Sequence, residues 1–310
     1  MSDPAAVAAQ ALTVAVLCRS DEPALARTLA SLGVAAQRAA TASGPRCVRF
    51  AICVNGPGEG NALAAARDFA ARDSAATVQL IVDERPDKAR AWNLVRAACT
   101  TPLLAFCDAD VDVAPDALAL LVAALENAPD VALASARQVP VIVRADGTPA
   151  ALVARAAAIP YRFDFQVVGG RLYVMRTGAV ERMPEALLLE DGWLSAQLGN
   201  DALRTVHAAE VYFRPPSTLA DYFRERLRTE AGKIQIRAQR ADAGRPQQPI
   251  ARYRWGTILG VLGASDVPLV AVNLGVRFCA RGLAELAARR GRSIRWSPIV
   301  SSKPQPNEVP

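Results

Sequence analysis

Residues 103–110 read LLAFCDAD. The apolar start is too short for a helix and reads as a buried strand, which breaks directly into two carboxylates, Asp108 and Asp110, spaced i and i+2. In an extended segment residues two apart project to the same side. Both carboxylates can then reach one divalent cation, and a hard cation such as Mg²⁺ or Mn²⁺ prefers oxygen ligands. An acidic pair just past the carboxyl end of a buried strand lies where open α/β sheets bind ligands, so a metal-bridged diphosphate is the expected guest. The plain alternative is a solvated acidic turn.

Two other acidic motifs compete for this segment. Asp108, Asp110 and Asp112 mimic the start of an EF-hand loop, but Val113 and Ala119 stand where that loop needs Gly and Glu, which excludes it. A strand ending in Asp-x-Asp also resembles haloacid-dehalogenase-type phosphatases, with Asp108 as nucleophile. In those enzymes Thr or Val follows one residue on and the motif lies near the start of the fold, whereas here Asp112 stands in that place and about a hundred residues precede it. This reading stays open as the alternative.

Around the segment, apolar runs alternate with helical periodicity. Strands are expected at 12–18, 49–54, 77–82 and 103–107, with helices at about 22–38, 61–72 and 88–98 between them. Ser20 or Asp21 can cap the first helix, with Pro23 in its opening turn. A further helix at about 115–126 and strands at 130–137 and 171–176 follow. This βαβαβαβ start is that of an α/β protein with a parallel sheet. The loop NGPGEGN at 55–61 lacks both the G-x-G-x-x-G spacing of a dinucleotide site and the G-K-[ST] of a P-loop.

Composition narrows the class. With 310 residues and 52% hydrophobic content, the chain can bury a full core. The start MSDPAAVAAQ lacks the basic region of a signal peptide, and the six cysteines show no C-x-x-C spacing, so reduced thiols in a cytoplasmic protein are expected. Residues 1–221 carry 20 basic and 24 acidic side chains, while residues 222–310 carry 16 and 6. The positive charge belongs to the tail, and most of it is guanidinium, suited to bidentate contact with phosphate.

The order Asp21-Glu22, Val54-Asn55-Gly56, Lys88-Ala-Arg-Ala-Trp-Asn93, Asp108-Ala-Asp110, Gly169-Gly170-Arg-Leu-Tyr and Glu190-Asp191 resembles family 2 glycosyltransferases of the GT-A fold. The resemblance covers roughly residues 12–235. It implies a mostly parallel central sheet with flanking helices and an inverting transfer from a UDP- or GDP-type nucleotide sugar, with Mg²⁺ or Mn²⁺ as cofactor at Asp108 and Asp110. Residues 12–112 would form the nucleotide-sugar half and 113–235 the acceptor half. Glu22, Asn55, Lys88, Asp108 and Arg228 would meet the donor; Gly169, Gly170, Glu190 and Trp193 would border the acceptor, a glycan or lipid-linked hydroxyl. Asp191 would be the catalytic base.

Each of these residues also has a plainer role: helix capping for Glu22 and Asp191, a turn for Asn55, a solvated first-turn charge for Lys88, core for Trp193. His207, the single histidine, is read as structural. A nucleotidyltransferase shares the strand-plus-carboxylate logic but would show a Gly-rich, basic loop after the first strand, where this chain has CRSDEP. The Q-x-x-R-W of processive members appears as Glu225-Arg-Leu-Arg228-Thr229, followed by Gly232, which argues against a processive polymerase.

The tail completes the reading. An N-terminal extension (1–11), a helical extension (236–300) and a disordered end (301–310) flank the catalytic region. Residues 222–254 hold nine cations against three anions and residues 256–276 turn apolar, a pairing that suggests an anionic membrane surface; no nucleic-acid partner is expected. Asp266, Pro268 and Asn273 interrupt the apolar run and argue against a span. Val276 to Arg290 reads as an amphipathic interfacial helix, against the alternative of a hairpin packed on the catalytic domain or a dimer partner.

Overall fold

In the computed structural model, which describes residues 11–42, 46–58, 60–72, 77–143, 145, 147–163, 168–242, 262–292, 294 and 299–303, the first apolar run forms β1 (Leu12–Arg19), buried almost throughout. Burial on both faces explains why it reads as continuous rather than alternating hydrophobicity. The chain clusters into two units, the first comprising residues 1–138, 168–186 and 198–213 and the second 139–167, 187–197 and 214–310.

The first unit is built on an eight-stranded sheet. β2 (Val48–Asn55), β3 (Thr77–Asp83) and β4 (Leu103–Asp108) run parallel to β1 in the order β3-β2-β1-β4. The crossovers that make these parallel pairings use α1 (Leu25–Thr41), α2 (Asn61–Arg72) and α3 (Lys88–Ala98). Helix α1 buries Leu25, Thr28, Leu29, Leu32, Ala35, Ala36 and Ala39, one stripe at the helical period. β7 (Leu172–Arg176) pairs antiparallel with β4, and β6 (Leu133–Pro140) antiparallel with β7. Beyond them lie β8 (Leu203–Phe213) and the three-residue β5 (Val111–Val113), with α4 (Ala117–Glu126) between β5 and β6 in the chain.

The strand order reverses between β1 and β4, so the crevice at their carboxyl ends is a topological switch point, where open α/β sheets place ligands. The chain is tightly threaded there. A Cβ on Gly60 would lie 1.9 Å from the carbonyl oxygen of Ser20, so the loop after β2 can pass the end of β1 only as glycine.

In the second unit α5 (Pro149–Ala158), α7 (Leu219–Asp242) and α8 (Val267–Arg289) share a core of Ala157, Tyr222 and Val276. Its polar centre is satisfied: the amide of Asn273 donates to Tyr222 Oη at 2.6 Å and to the Ala156 carbonyl at 2.9 Å. Helix α7 runs through residue 235, where the sequence suggested the catalytic region ends. Ser301, expected within a disordered end, is tied down instead: its N–H donates to Asp221 Oδ2 at 2.8 Å, and its hydroxyl accepts the Ser217 N–H at 3.1 Å. Burial alone would push the Asp221 carboxyl up, but the Ser301 bonds and Arg224 outweigh it and hold the carboxyl below its ordinary range. Residues 1–10, the basic-to-apolar stretch 243–261 and residues 304–310 lie outside the described residues.

Candidate active site

Asp108 is the last residue of β4, half-buried, and its N–H donates to the Arg171 carbonyl at 2.9 Å, which keeps the strand paired to its end. Ala109 and Asp110 then form a turn ahead of β5. The extended geometry assumed for the acidic pair is therefore not the one present; the second carboxylate is presented by a turn.

That turn is held from α1 by a residue the sequence reading passed over. The buried Thr28 hydroxyl lies 2.9 and 2.7 Å from the carbonyl oxygens of Ala109 and Val111 and accepts the Val111 N–H at 3.2 Å; Ser31 Oγ accepts the Val113 N–H at 3.1 Å. Thr28→Val keeps the shape and removes these bonds, leaving buried backbone groups unsatisfied at about 1–3 kcal/mol. A lowered Tm, together with weaker donor binding by calorimetry, is the expected outcome; an unchanged Tm would mean that the turn holds itself. Asp112 forms an ion pair with Arg27 at 3.0 Å.

Lys88, the first residue of α3, reaches Asp108: Nζ to Oδ1 is 2.7 Å, joining residues twenty apart in sequence. It is no solvated surface charge but a cation fixed at the acidic pair. Beside them the Cys107 thiol is pushed well above its ordinary range, first by burial and then by the neighbouring Asp108 and Asp110, so it stays neutral. The local donors are hard carboxylate oxygens, the set that suits Mg²⁺ or Mn²⁺. Among the described residues no group of three or more His, Cys, Asp or Glu side chains is arranged for a metal. A two-carboxylate site fits a cation that completes its shell with water and substrate phosphate.

The ends of the neighbouring strands supply the rest. Buried Glu22 accepts the Ala24 N–H at 3.1 Å, so it, and not Ser20 or Asp21, organises the entry to α1; Asp21 pairs with Arg19, and Ser20 Oγ donates to the Pro57 carbonyl. Asn55 ends β2 and donates to the Asp87 carbonyl at 3.1 Å. Opposite it in register stands Asp83 at the end of β3, ion-paired with Arg90 at 2.6 Å. The signal that found Asp108, an apolar strand breaking into a carboxylate, is present at Asp83 too.

The segment Lys88–Asn93 also anchors the chain around it. Asp87 caps α3 by accepting the Arg90 N–H, and its other oxygen accepts the Ala186 N–H at 2.8 Å. Trp92 is buried, stacks on Phe106 with centroids 5.1 Å apart, and donates to Tyr173 Oη at 2.9 Å. Asn93 clasps Met183 by both its N–H and its carbonyl, each at 2.9 Å. The loop before residue 187 is thus fixed to the helix that carries Lys88. Gly169 fits against the Ala136 carbonyl, which a Cβ would approach to 3.0 Å, while Gly170 forms the turn into β7. His207 lies exposed on β8.

In the second unit, Glu190 and Asp191 open α6 (Glu190–Leu198). Asp191 is half-buried; its Oδ1 accepts the N–H of Gly192 at 2.7 Å, and its carbonyl accepts from Ser195 Oγ at 2.8 Å. Two glycines set this helix start. A Cβ on Gly192 would meet the Leu189 side chain at 2.6 Å, and one on Gly232 of α7 would meet Leu189 Cβ at 2.5 Å. Gly232, noted for its spacing after Arg228, thus has a packing reason to be glycine. Gln235 of α7 accepts the Leu188 N–H at 3.1 Å. Trp193 on α6 and Arg228 on α7 are both half-buried.

Residues 13–168 match the family described as Glycosyl transferase family 2. A mannosyltransferase from Pyrobaculum calidifontis, solved with GDP-Man and Mn²⁺, shares the fold at 18% identity, covering 91% of this chain and 76% of that one with a TM-score of 0.56. Glucosyl-3-phosphoglycerate synthase from Mycobacterium tuberculosis, solved with Mn²⁺, UDP and glucosyl-3-phosphoglycerate, aligns at 17% identity over 79% and 84% of the two chains, TM-score 0.47. Mannosyl-3-phosphoglycerate synthase from Rubrobacter xylanophilus aligns at 15% identity over 77% of each chain, TM-score 0.47. No curated protein matches the sequence.

Proposed function

The chain belongs to glycosyl transferase family 2, and from that premise we propose that it moves a sugar from a UDP- or GDP-type donor to an acceptor hydroxyl by single displacement. Family membership replaces the phosphatase and nucleotidyltransferase readings. The observation that carries the donor assignment is the Lys88–Asp108 pair at the switch-point crevice, beside Asp110 and the ends of β1 and β2.

Asp108 and Asp110 would hold a Mg²⁺ or Mn²⁺ ion. Bound there, the cation supplies positive charge against the diphosphate as it leaves. Lys88 adds a fixed cation on the same side, and such preplaced charge is worth on the order of a hundredfold or more in rate. Glu22 and Asn55 bound the base and ribose, and Arg228 contributes a guanidinium to the donor phosphates. Gly169, Gly170, Glu190 and Trp193 border the acceptor, a glycan or a lipid-linked hydroxyl. Asp191 takes the proton of the attacking hydroxyl. The six cysteines are free thiols, which suits a reducing cytoplasm.

Product stereochemistry tests the mechanism. Proton NMR of the first product formed from an α-linked nucleotide sugar is expected to show a β-glycoside. A product that keeps the donor configuration would contradict attack by a single acceptor hydroxyl activated at Asp191.

A further inference from the structure

Helix α8 presents two faces. Asn273, Val276, Ala280 and Ala284 are buried, the first bonded to Tyr222 and Ala156. The opposite face is bare: Val267, Leu274 and Phe278 are exposed at 65%, 57% and 81%, at the i, i+7, i+11 spacing of one stripe, and a Cβ on Gly275 or Gly282 would meet nothing within 4 Å. Leu283 and Leu286 extend the exposed apolar surface toward the helix end. From its sequence this helix could be interfacial or packed in a hairpin; the structure packs one face against α5 and α7 and leaves the other exposed.

Charge indicates what covers the stripe. From Val267 to Arg292 the chain carries Arg277, Arg281, Arg289, Arg290 and Arg292 against a single acid, Glu285. That acid is paired with Arg281 at 2.8 Å, and Asp266 at the helix start is paired with Arg162 at 2.8 Å. An apolar stripe edged by arginines, with both nearby acids already neutralised, is complementary to a surface that is apolar inside and anionic at its rim. A second copy of the chain would bring the same arginines to a helix whose acids are already taken. Ala264–Arg289 is long enough to cross a bilayer, and an 18-residue window within it has a mean hydropathy of 1.3. Spanning would strip Asn273 of both buried partners and carry Glu285 and two arginines into hydrocarbon.

We infer that the exposed face of α8 lies on the headgroup region of an anionic phospholipid bilayer, with Phe278 as its central apolar anchor. The inference does not depend on the donor chemistry, which is assayed separately.

The test is co-sedimentation of the full chain with phosphatidylcholine vesicles, with and without phosphatidylglycerol, at low and high salt. Binding should require phosphatidylglycerol, fall with salt, and be reversed by alkaline carbonate. Phe278→Asp should abolish it, and Arg289→Glu with Arg290→Glu should weaken it at least about tenfold, since each arginine near an anionic surface adds a several-fold factor. Circular dichroism melts check that both variants fold, as expected for exposed positions. Absence of binding, binding indifferent to phosphatidylglycerol, resistance to carbonate, or a Phe278-dependent dimer in light scattering without lipid binding would each overturn the inference. In every case donor turnover remains a separate readout.

Discussion

Asp110→Asn is expected to cut sugar transfer by on the order of a hundredfold or more and to erase the stabilisation that a metal–nucleotide pair gives the wild-type protein. The substitution removes one carboxylate charge from a two-carboxylate site, and a hard divalent cation loses about half of its protein-derived charge neutralisation with it. The fold should persist, because the backbone of this turn is held by Thr28 through Ala109 and Val111. Asp112→Asn provides the control. Asp112 is two residues on and pairs with Arg27 near the surface, so its loss should cost well under 1 kcal/mol and leave donor binding unchanged. Steady-state rates over a Mn²⁺ titration measure both variants; equal losses at 110 and 112 would mean that diffuse negative charge, not ligation, is what the site needs.

Asp191→Asn should separate binding from chemistry. Donor affinity is expected to be unchanged while kcat falls about a hundredfold to ten-thousandfold, the range lost with a general base. The asparagine can keep the structural bond, since its Oδ1 still accepts the Gly192 N–H now seen at 2.7 Å, and the Ser195 bond goes to the backbone carbonyl. What it cannot do is accept a proton. The acid limb of the kcat–pH profile should therefore disappear in the variant. A variant that retains the wild-type limb, or loses donor affinity in parallel with kcat, would assign Asp191 a structural role at the start of α6.

Much of the fold could be read from local patterns because those patterns are local causes. Helices α2 and α3 begin and end where the periodicity placed them, at Asn61–Arg72 and Lys88–Ala98, since the start of α3 is set by a side-chain cap next to it in sequence. β1, β2 and β4 followed from continuous apolar runs, as strands buried on both faces require, while β3, at the sheet edge, is half-buried or exposed along its length. Beyond that, the sequence was silent wherever the determinant is distant. Thr28 looked like one residue of an amphipathic stripe; its partners at Ala109 and Val111 are more than eighty positions away. β5 is three residues long, too short to show alternation, and α5 is so rich in alanine that it has little pattern to detect. The cap of α1 was assigned to Ser20 or Asp21 by residue type, but Arg19 and the Pro57 carbonyl claim those side chains; the N-cap is Ala24, with no side-chain cap bond, and Glu22 accepts the Ala24 N–H. Asp83 was overlooked although it repeats the strand-then-carboxylate signal of Asp108.

The proposed function requires the crevice between β1 and β4 to bind a nucleotide sugar through a divalent cation. It is tested most directly by thermal unfolding of the wild-type chain with a panel of UDP- and GDP-sugars, each with Mn²⁺ and with EDTA. A ligand at a hundred times its Kd adds about 2.7 kcal/mol, which raises Tm by several degrees in a protein of this size. The expected result is such a rise with at least one nucleotide sugar in Mn²⁺ and none in EDTA. A panel without any shift, or a shift of equal size in EDTA, would contradict the claim.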